Sequence, residues 1–300
     1  MKRILAMALA VMMMFTLVAC GSSPSEPASG SGSAESGEAK EGSTKKAHAA
    51  YSMEETVIVD TDQCAFTVTD VSESGSSVNV SVLCENKSDT VLMFAWDNVA
   101  VNGCMIDPFW ATEVAAGKKS SEKLTFNKSD LQQYGLSAID ELQFDLSIYD
   151  SEDIMAGDFV DERFSIYPTG LTADSVSYPD YAASDSDTII ADNEYATFVI
   201  TGVAEDDIWG YTVKAYILNK TDSTVTCAWD DVSVNDFMCD PFWAMEIAPN
   251  ARAFVDITFA DSTLEEAGVD DVDNIEFRLH LYDDAHWDNY FIDEVYTYNP

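Results

Sequence analysis

The sequence predicts an all-β protein: two tandem β-sandwiches, each with one short helix, behind an export signal and a polar tether. Three observations carry this. The chain repeats itself from Thr56 onward. Apolar and polar residues alternate at period two in matched stretches of both copies, as in strands with one buried face. Turn-forming residues recur every ~8–12 residues, the rhythm of a sandwich.

The repeat is clearest around two tryptophans. Trp96-Asp97-Asn98-Val99-Ala100-Val101-Asn102 is followed by Asp107-Pro108-Phe109-Trp110-Ala111 and Glu113. Trp229-Asp230-Asp231-Val232-Ser233-Val234-Asn235 is followed at the same spacing by Asp240-Pro241-Phe242-Trp243-Ala244 and Glu246. The offset between copies is 132 at Asp60/Asp192 and Phe66/Phe198, and 133 from Asn86/Asn219 to Asp150/Asp283. It returns to 132 at Phe159/Phe291 and Pro168/Pro300. The second copy thus gains one residue near Ser74 and loses one after Ser151, both in expected loops. A period this long is not a solenoid unit and fits whole domains in tandem. The expected domains span 54–168 and 187–300, with a linker over 169–186.

The amino-terminal stretch reads as a leader. Met1-Lys2-Arg3 is a basic start, Ile4 to Thr16 an apolar run, and Leu17-Val18-Ala19-Cys20 closes it. That ending resembles the lipobox of bacterial lipoproteins, which implies cleavage before Cys20 and a diacylglycerol on its thiol. The chain from Met1 to Cys20 barely reaches the ~20 residues of a membrane span and includes two charges. Residues 1–20 are therefore expected to be a lipoprotein signal peptide. Residues 21–53, rich in Ser, Gly, Ala and Glu, lack aliphatic periodicity and are expected to form a disordered tether.

Within the copies, Val78, Val80, Val82 and Cys84 alternate with polar residues, as do Tyr211, Val213, Ala215 and Ile217. Phe144, Leu146 and Ile148 match Phe277, Leu279 and Leu281. Comparing copies fixes a register. Leu92, Phe94 and Trp96 correspond to Val225, Cys227 and Trp229, all apolar, so both tryptophans should point inward. Val91 and Met93 correspond to Thr224 and Thr226, so that face tolerates hydroxyls. Asn86-Lys87-Ser88-Asp89 and Asn219-Lys220-Thr221-Asp222 read as turns. Asn102-Gly103 signals a type I′ hairpin, with Asn235-Asp236 in its place in the second copy. Ser129-Asp130-Leu131-Gln132 and Ser262-Thr263-Leu264-Glu265 read as capping boxes opening the short helices. Gly135 and Gly268 stand where left-handed C-caps belong.

The pattern of Asn86-Lys87-Ser88-Asp89, Trp96-Asp97, Val99 to Asn102 and Ile139 to Tyr149 resembles immunoglobulin-like domains of surface lipoproteins from Gram-positive anaerobes. The resemblance spans both copies and implies an immunoglobulin-like sandwich outside the cell. It transfers no catalytic residue. The disulfide of antibody-type domains has no counterpart: Cys84 faces a strand, Leu142 to Ile148, without cysteine, and its repeat equivalent is Ile217.

Composition narrows function. The formal net charge of -39 repels nucleic acid and anionic surfaces, and the cationic patch of a nucleic-acid binder is missing. Besides Cys20 there are Cys64, Cys84, Cys104, Cys227 and Cys239, whose repeat partners are Ala196, Ile217, Phe237, Phe94 and Ile106. Such exchanges suit buried thiols acting as small hydrophobes. The three histidines give no zinc pattern and no nucleophile–base device shared by both copies. Asp97, Asp107 and Glu113, with Asp230, Asp240 and Glu246, are the acids from which glycosidase-like pairs would be drawn. Asp97, Asn98 and Asp107, with Asp230 and Asp240, are candidate cation ligands, though they match no EF-hand spacing. Of Phe109-Trp110 and Phe242-Trp243, one ring in each pair should be exposed, and Trp110 and Trp243 are the candidate ligand platforms. The expectation is a non-enzymatic, lipid-anchored surface protein that needs no cofactor. It would bind an unknown extracellular protein or glycan, or alternatively serve as a carbohydrate- or calcium-binding accessory domain of the envelope.

Overall fold

The computed structural model describes residues 51–106, 108–178, 181–206 and 210–300. The leader, Cys20, Asp107 and nearly all of the tether lie outside the described residues. The described chain is almost entirely β, in two sandwiches with one short helix each.

The first sandwich has nine strands: β1 (Thr56–Asp60), β2 (Cys64–Ser74), β3 (Ser77–Asn86), β4 (Leu92–Val101), β5 (Cys104–Met105), β6 (Trp110–Val114), β7 (Lys119–Asn127), β8 (Leu142–Asp150) and β9 (Asp158–Ile166). One sheet runs β1-β2-β3-β7; the other runs β5-β4-β8-β9, with β6 on β4. The second sandwich repeats this with β10 (Thr188–Asp192), β11 (Ala196–Asp206), β12 (Gly210–Asn219), β13 (Val225–Val234), β14 (Phe237–Met238), β15 (Ala244–Ile247), β16 (Arg252–Phe259), β17 (Ile275–Asp283) and β18 (His286–Tyr298). Its sheets run β10-β11-β12-β16 and β14-β13-β17-β18, with β15 on β13. Even the bulges recur: register slips at Val68/Asp70 and Ile200/Gly202, and at Asp97/Ala100 and Asp230/Ser233.

Period-two burial explains these strands. In β4, Leu92, Phe94 and Trp96 are buried while their neighbours are partly exposed. Trp96 and Trp229 are each 1% exposed, as the register argument requires. Each lies on a phenylalanine of the adjacent strand: Trp96 on Phe144 at 4.0 Å and Trp229 on Phe277 at 3.8 Å between ring centroids. The five described cysteines are free and buried. Two separate clusters of buried side chains result, one per sandwich, except that Ala100 and Met105 of the first copy belong to the second cluster.

Asparagines tie the turns. Buried Asn86 donates to the carbonyls of Thr90 and Val114 and accepts from the Ser88 N–H and hydroxyl. Asn219 does the same work with Ser223, Ile247 and Thr221. Asn102 and Gly103 both have positive φ (48° and 74°), as do Asn235 and Asp236 (51° and 70°), so both hairpins are I′-type turns.

The helix starts differ from expectation. α1 (Lys128–Gln133) begins after Asn127 and α2 (Asp261–Ala267) after Ala260, and neither first turn has a side-chain cap. Ser129 and Ser262 lie inside the helices, and Ser129 donates to Asp130 instead. Each helix follows directly from a strand that already positions its start, so no capping box is required. The C-termini agree with expectation, with Gly135 and Gly268 at φ 72° and 75°.

The linker and tether ends are also ordered into the fold. Tyr51 accepts from the Ile139 N–H, and the N–H groups of Ser52 and Met53 reach the Pro168 carbonyl. Within the linker, Tyr178 donates to Glu141, a buried carboxylate that also accepts from Tyr167 and Gln143. Three donors are what a buried acid needs to remain in place.

The two sandwiches meet edge to edge. The Arg252 N–H donates to the Gly103 carbonyl at 2.9 Å, and β16 pairs in parallel with β5. One sheet from each copy is thereby joined into a single nine-stranded sheet. Tyr178 lies against Gly103 so closely that a Cβ there would come within 3.1 Å of its ring. The Arg252 guanidinium sits 5.5 Å from the same ring. Tyr134 stacks on Phe254 and Tyr181 on Tyr216, and Asn98 donates to Glu246 at 3.1 Å.

Candidate functional site

The site candidates group around the bulge of β4 and β13 and the turn that follows. Asp97 and Asp230 are exposed and immediately precede a residue in left-handed conformation, Asn98 or Asp231, each at φ 50°. Asp230 faces His280, its Oδ2 2.8 Å from Nδ1, while Nε2 of the same ring is 3.0 Å from Asp293. Arg278 donates to both Asp293 and Asp231. The Arg278 bond, with His280 beside it, holds the Asp293 carboxyl below the usual range. In the first copy Arg163 does the corresponding job, donating to Asp145 at 2.7 Å and to the Asn98 carbonyl. Both ring nitrogens of His280 face carboxylates, which leaves neither in position to take a proton from a nucleophile.

Asp240 is part of a turn. Its Oδ1 accepts from the Phe242 N–H at 2.7 Å, the Asx-turn geometry that Asp-Pro sequences favour. Among the described residues no group of three or more His, Cys, Asp or Glu side chains is placed to hold a metal ion. Glu113 and Glu246 lie on the short strands that follow, and Glu246 accepts from Asn98 across the junction.

The aromatic pairs divide in the same way in both copies. Trp110 is half-buried, its ring 6.0 Å from Trp96 and 6.1 Å from Phe66. Trp243 is half-buried against Trp229. The exposed member is the phenylalanine: Phe109 is 76% and Phe242 90% exposed. Both are held at positive φ, 41° and 51°. A bulky side chain there costs about 1 kcal/mol or more in backbone strain, and such residues cluster at functional sites. Sequence reasoning anticipated one exposed ring per pair but assigned the role to tryptophan. The Asp-Pro turn puts the first aromatic out at its tip, so the second, which opens the next strand, reaches back to the core.

A concave feature lies at the junction. Tyr134, Tyr181, Tyr216, Phe254, Gln133, Ala182 and Arg252 line a cleft of about 230 Å³. Its rings are already stacked on one another, and they hold the sandwiches together.

No family model and no curated protein matches the chain. Among solved structures, red sea bream transglutaminase is similar at 12% identity with a TM-score of 0.22, over 80% of this chain and 31% of that one. The YadV chaperone is similar at 12% identity and a TM-score of 0.21, over 75% of this chain and 92% of that one. The chain thus spans about a third of the transglutaminase.

Proposed function

We propose that this protein is a non-enzymatic lipoprotein held on the outer face of the cell membrane by lipid on Cys20. Its two immunoglobulin-like sandwiches serve as a binding module for an extracellular protein or glycan. The observation that carries the reading is the pair of Asp-Pro-Phe-Trp turns. Each copy displays a phenylalanine to solvent on a strained backbone, where a smaller or polar residue would fold more easily. An exposed aromatic ring suits a protein contact or stacking on a sugar face. The glycan form of the reading moves the platform from Trp110 and Trp243 to Phe109 and Phe242. The cation alternative is weakened because Asp230 already faces His280 and Asp240 accepts from its own turn.

The test is binding of the full chain to two panels, wall glycans and extracellular matrix proteins, with Phe109→Asn plus Phe242→Asn alongside. The reading expects at least one binder, lost in the double variant. A binder retained in full by that variant contradicts it, and so does silence across both panels.

A further inference from the structure

We propose that the chain associates with further copies of itself head to tail, edge strand β14 of one molecule pairing in parallel with edge strand β7 of the next. Inside the chain, β5 of the first copy joins β16 of the second. The repeat equivalents of these two strands are β14 and β7, and each ends its own sheet. The chain therefore carries the strand pair of the junction a second time, one strand at each end.

The backbone of the two edges is set for this contact. The Lys118 carbonyl points into its sheet, where it accepts from the Asn86 N–H, as the Ala251 carbonyl accepts from Asn219. In a trans peptide the N–H points opposite to the carbonyl. The Lys119 N–H is thus directed outward from β7, as the Arg252 N–H is directed at Gly103. On the other edge, the turn at Asn235 and Asp236 has the φ values of Asn102 and Gly103. The Asp236 carbonyl consequently takes the place of the Gly103 acceptor.

Side chains agree. Cys104 and Met105 are 1% and 8% exposed at the internal junction, whereas their equivalents Phe237 and Met238 are 52% and 69% exposed. Gly103 is replaced by Asp236 and Arg252 by Lys119, so a glycine under an aromatic clamp becomes an acid opposite a base. Lys118, Lys119 and Lys123 gather at this edge in a chain of net charge -39. Three features oppose the contact: Lys119 already pairs with Glu85 at 2.9 Å, the stack of Tyr134 on Phe254 becomes Ala267 opposite Ser121, and the bond from Asn98 to Glu246 becomes Asp231 opposite Glu113. Arg278 already pairs with Asp231, which softens that repulsion. A contact of this kind uses a different patch on each partner, so it propagates into open chains or closes into rings. Lysines on an edge strand ordinarily guard against pairing; here they select an acidic edge over a neutral one.

Sedimentation velocity of the full chain over a wide concentration range, at low and high salt, tests the proposal. Weight-average mass should climb past the dimer with concentration and fall back when salt screens the charges. Lys119→Ser, Asp236→Asn and Phe237→Ser should each weaken association about tenfold, and Glu113→Gln should strengthen it severalfold, with unchanged circular dichroism. A monomer at every concentration, association that stops at a dimer, or a Lys119→Ser variant that associates as well as the parent would overturn it.

Discussion

Trp96 and Trp229 make their contribution through shape alone. Each indole is buried, stacked on a phenylalanine, and its N–H meets no acceptor among the described residues. Replacing the indole by a smaller ring therefore removes no hydrogen bond. Trp96→Phe should cost only about 1–2 kcal/mol, against about 3–5 kcal/mol for Trp96→Ala, read from urea unfolding. The buried thiols define a pH window. Burial pushes Cys84 up to about 12 and raises Cys227 as well. In the unfolded chain these thiols ionise near 8.5. The unfolded state thus releases protons first, so stability is full below about pH 8.5 and falls as pH rises toward the folded value. Urea midpoints measured between neutral and strongly alkaline pH should decline, and Cys84→Ala should make the decline shallower. Gly103 is the residue where conformation and contact coincide. At φ 74°, with Tyr178 lying on it, Gly103→Ala should cost about 1–3 kcal/mol, whereas alanine at Gly117, also in positive φ but with open space beside it, should cost less.

Among the elements, strands and hairpins were legible because both copies obey the same alternation. Trp96 and Trp229, Asn102-Gly103 and the helix-ending glycines could each be read from one copy and checked in the other. The helix starts are not legible, since Ser129 and Ser262 offer a local capping pattern that the preceding strands make unnecessary. The junction is not legible in the repeat. A repeat reports what two copies share, and the junction is made from what they do not: Gly103 against Asp236, Tyr134 against Ala267, Glu141 against Asn274, Arg252 against Lys119, Phe254 against Ser121. Aromatic residues on the outward face of one copy alone were the available signal. The linker looked like a polar spacer because Tyr178 and Tyr181 act singly, without a period. Glu141 ties that linker down, and removing it leaves Tyr167 and Tyr178 without their acceptor. Glu141→Ala should destabilise the fold by about 2–3 kcal/mol and speed proteolysis within 169–186, detectable by limited digestion and mass spectrometry.

For the whole molecule, the net charge of -39 bears on the proposed anchor. A strongly acidic body stays away from an anionic membrane, so the proposed attachment rests on lipid alone. Two acyl chains on Cys20 would hold it firmly where one would not. In a Gram-positive host the parent should partition into detergent and Cys20→Ser into water. What folds this chain is distinct from what it displays: paired cores around two indoles fold it, and two phenylalanines at the turn tips, which the cores do not need, are displayed. Thermal unfolding of the Phe109→Asn plus Phe242→Asn variant tests that separation without any ligand. Asparagine tolerates the left-handed backbone, so the melting temperature should hold or rise by about 2–4 °C. A fall of that size or more would show that the rings serve the fold, and would contradict the account.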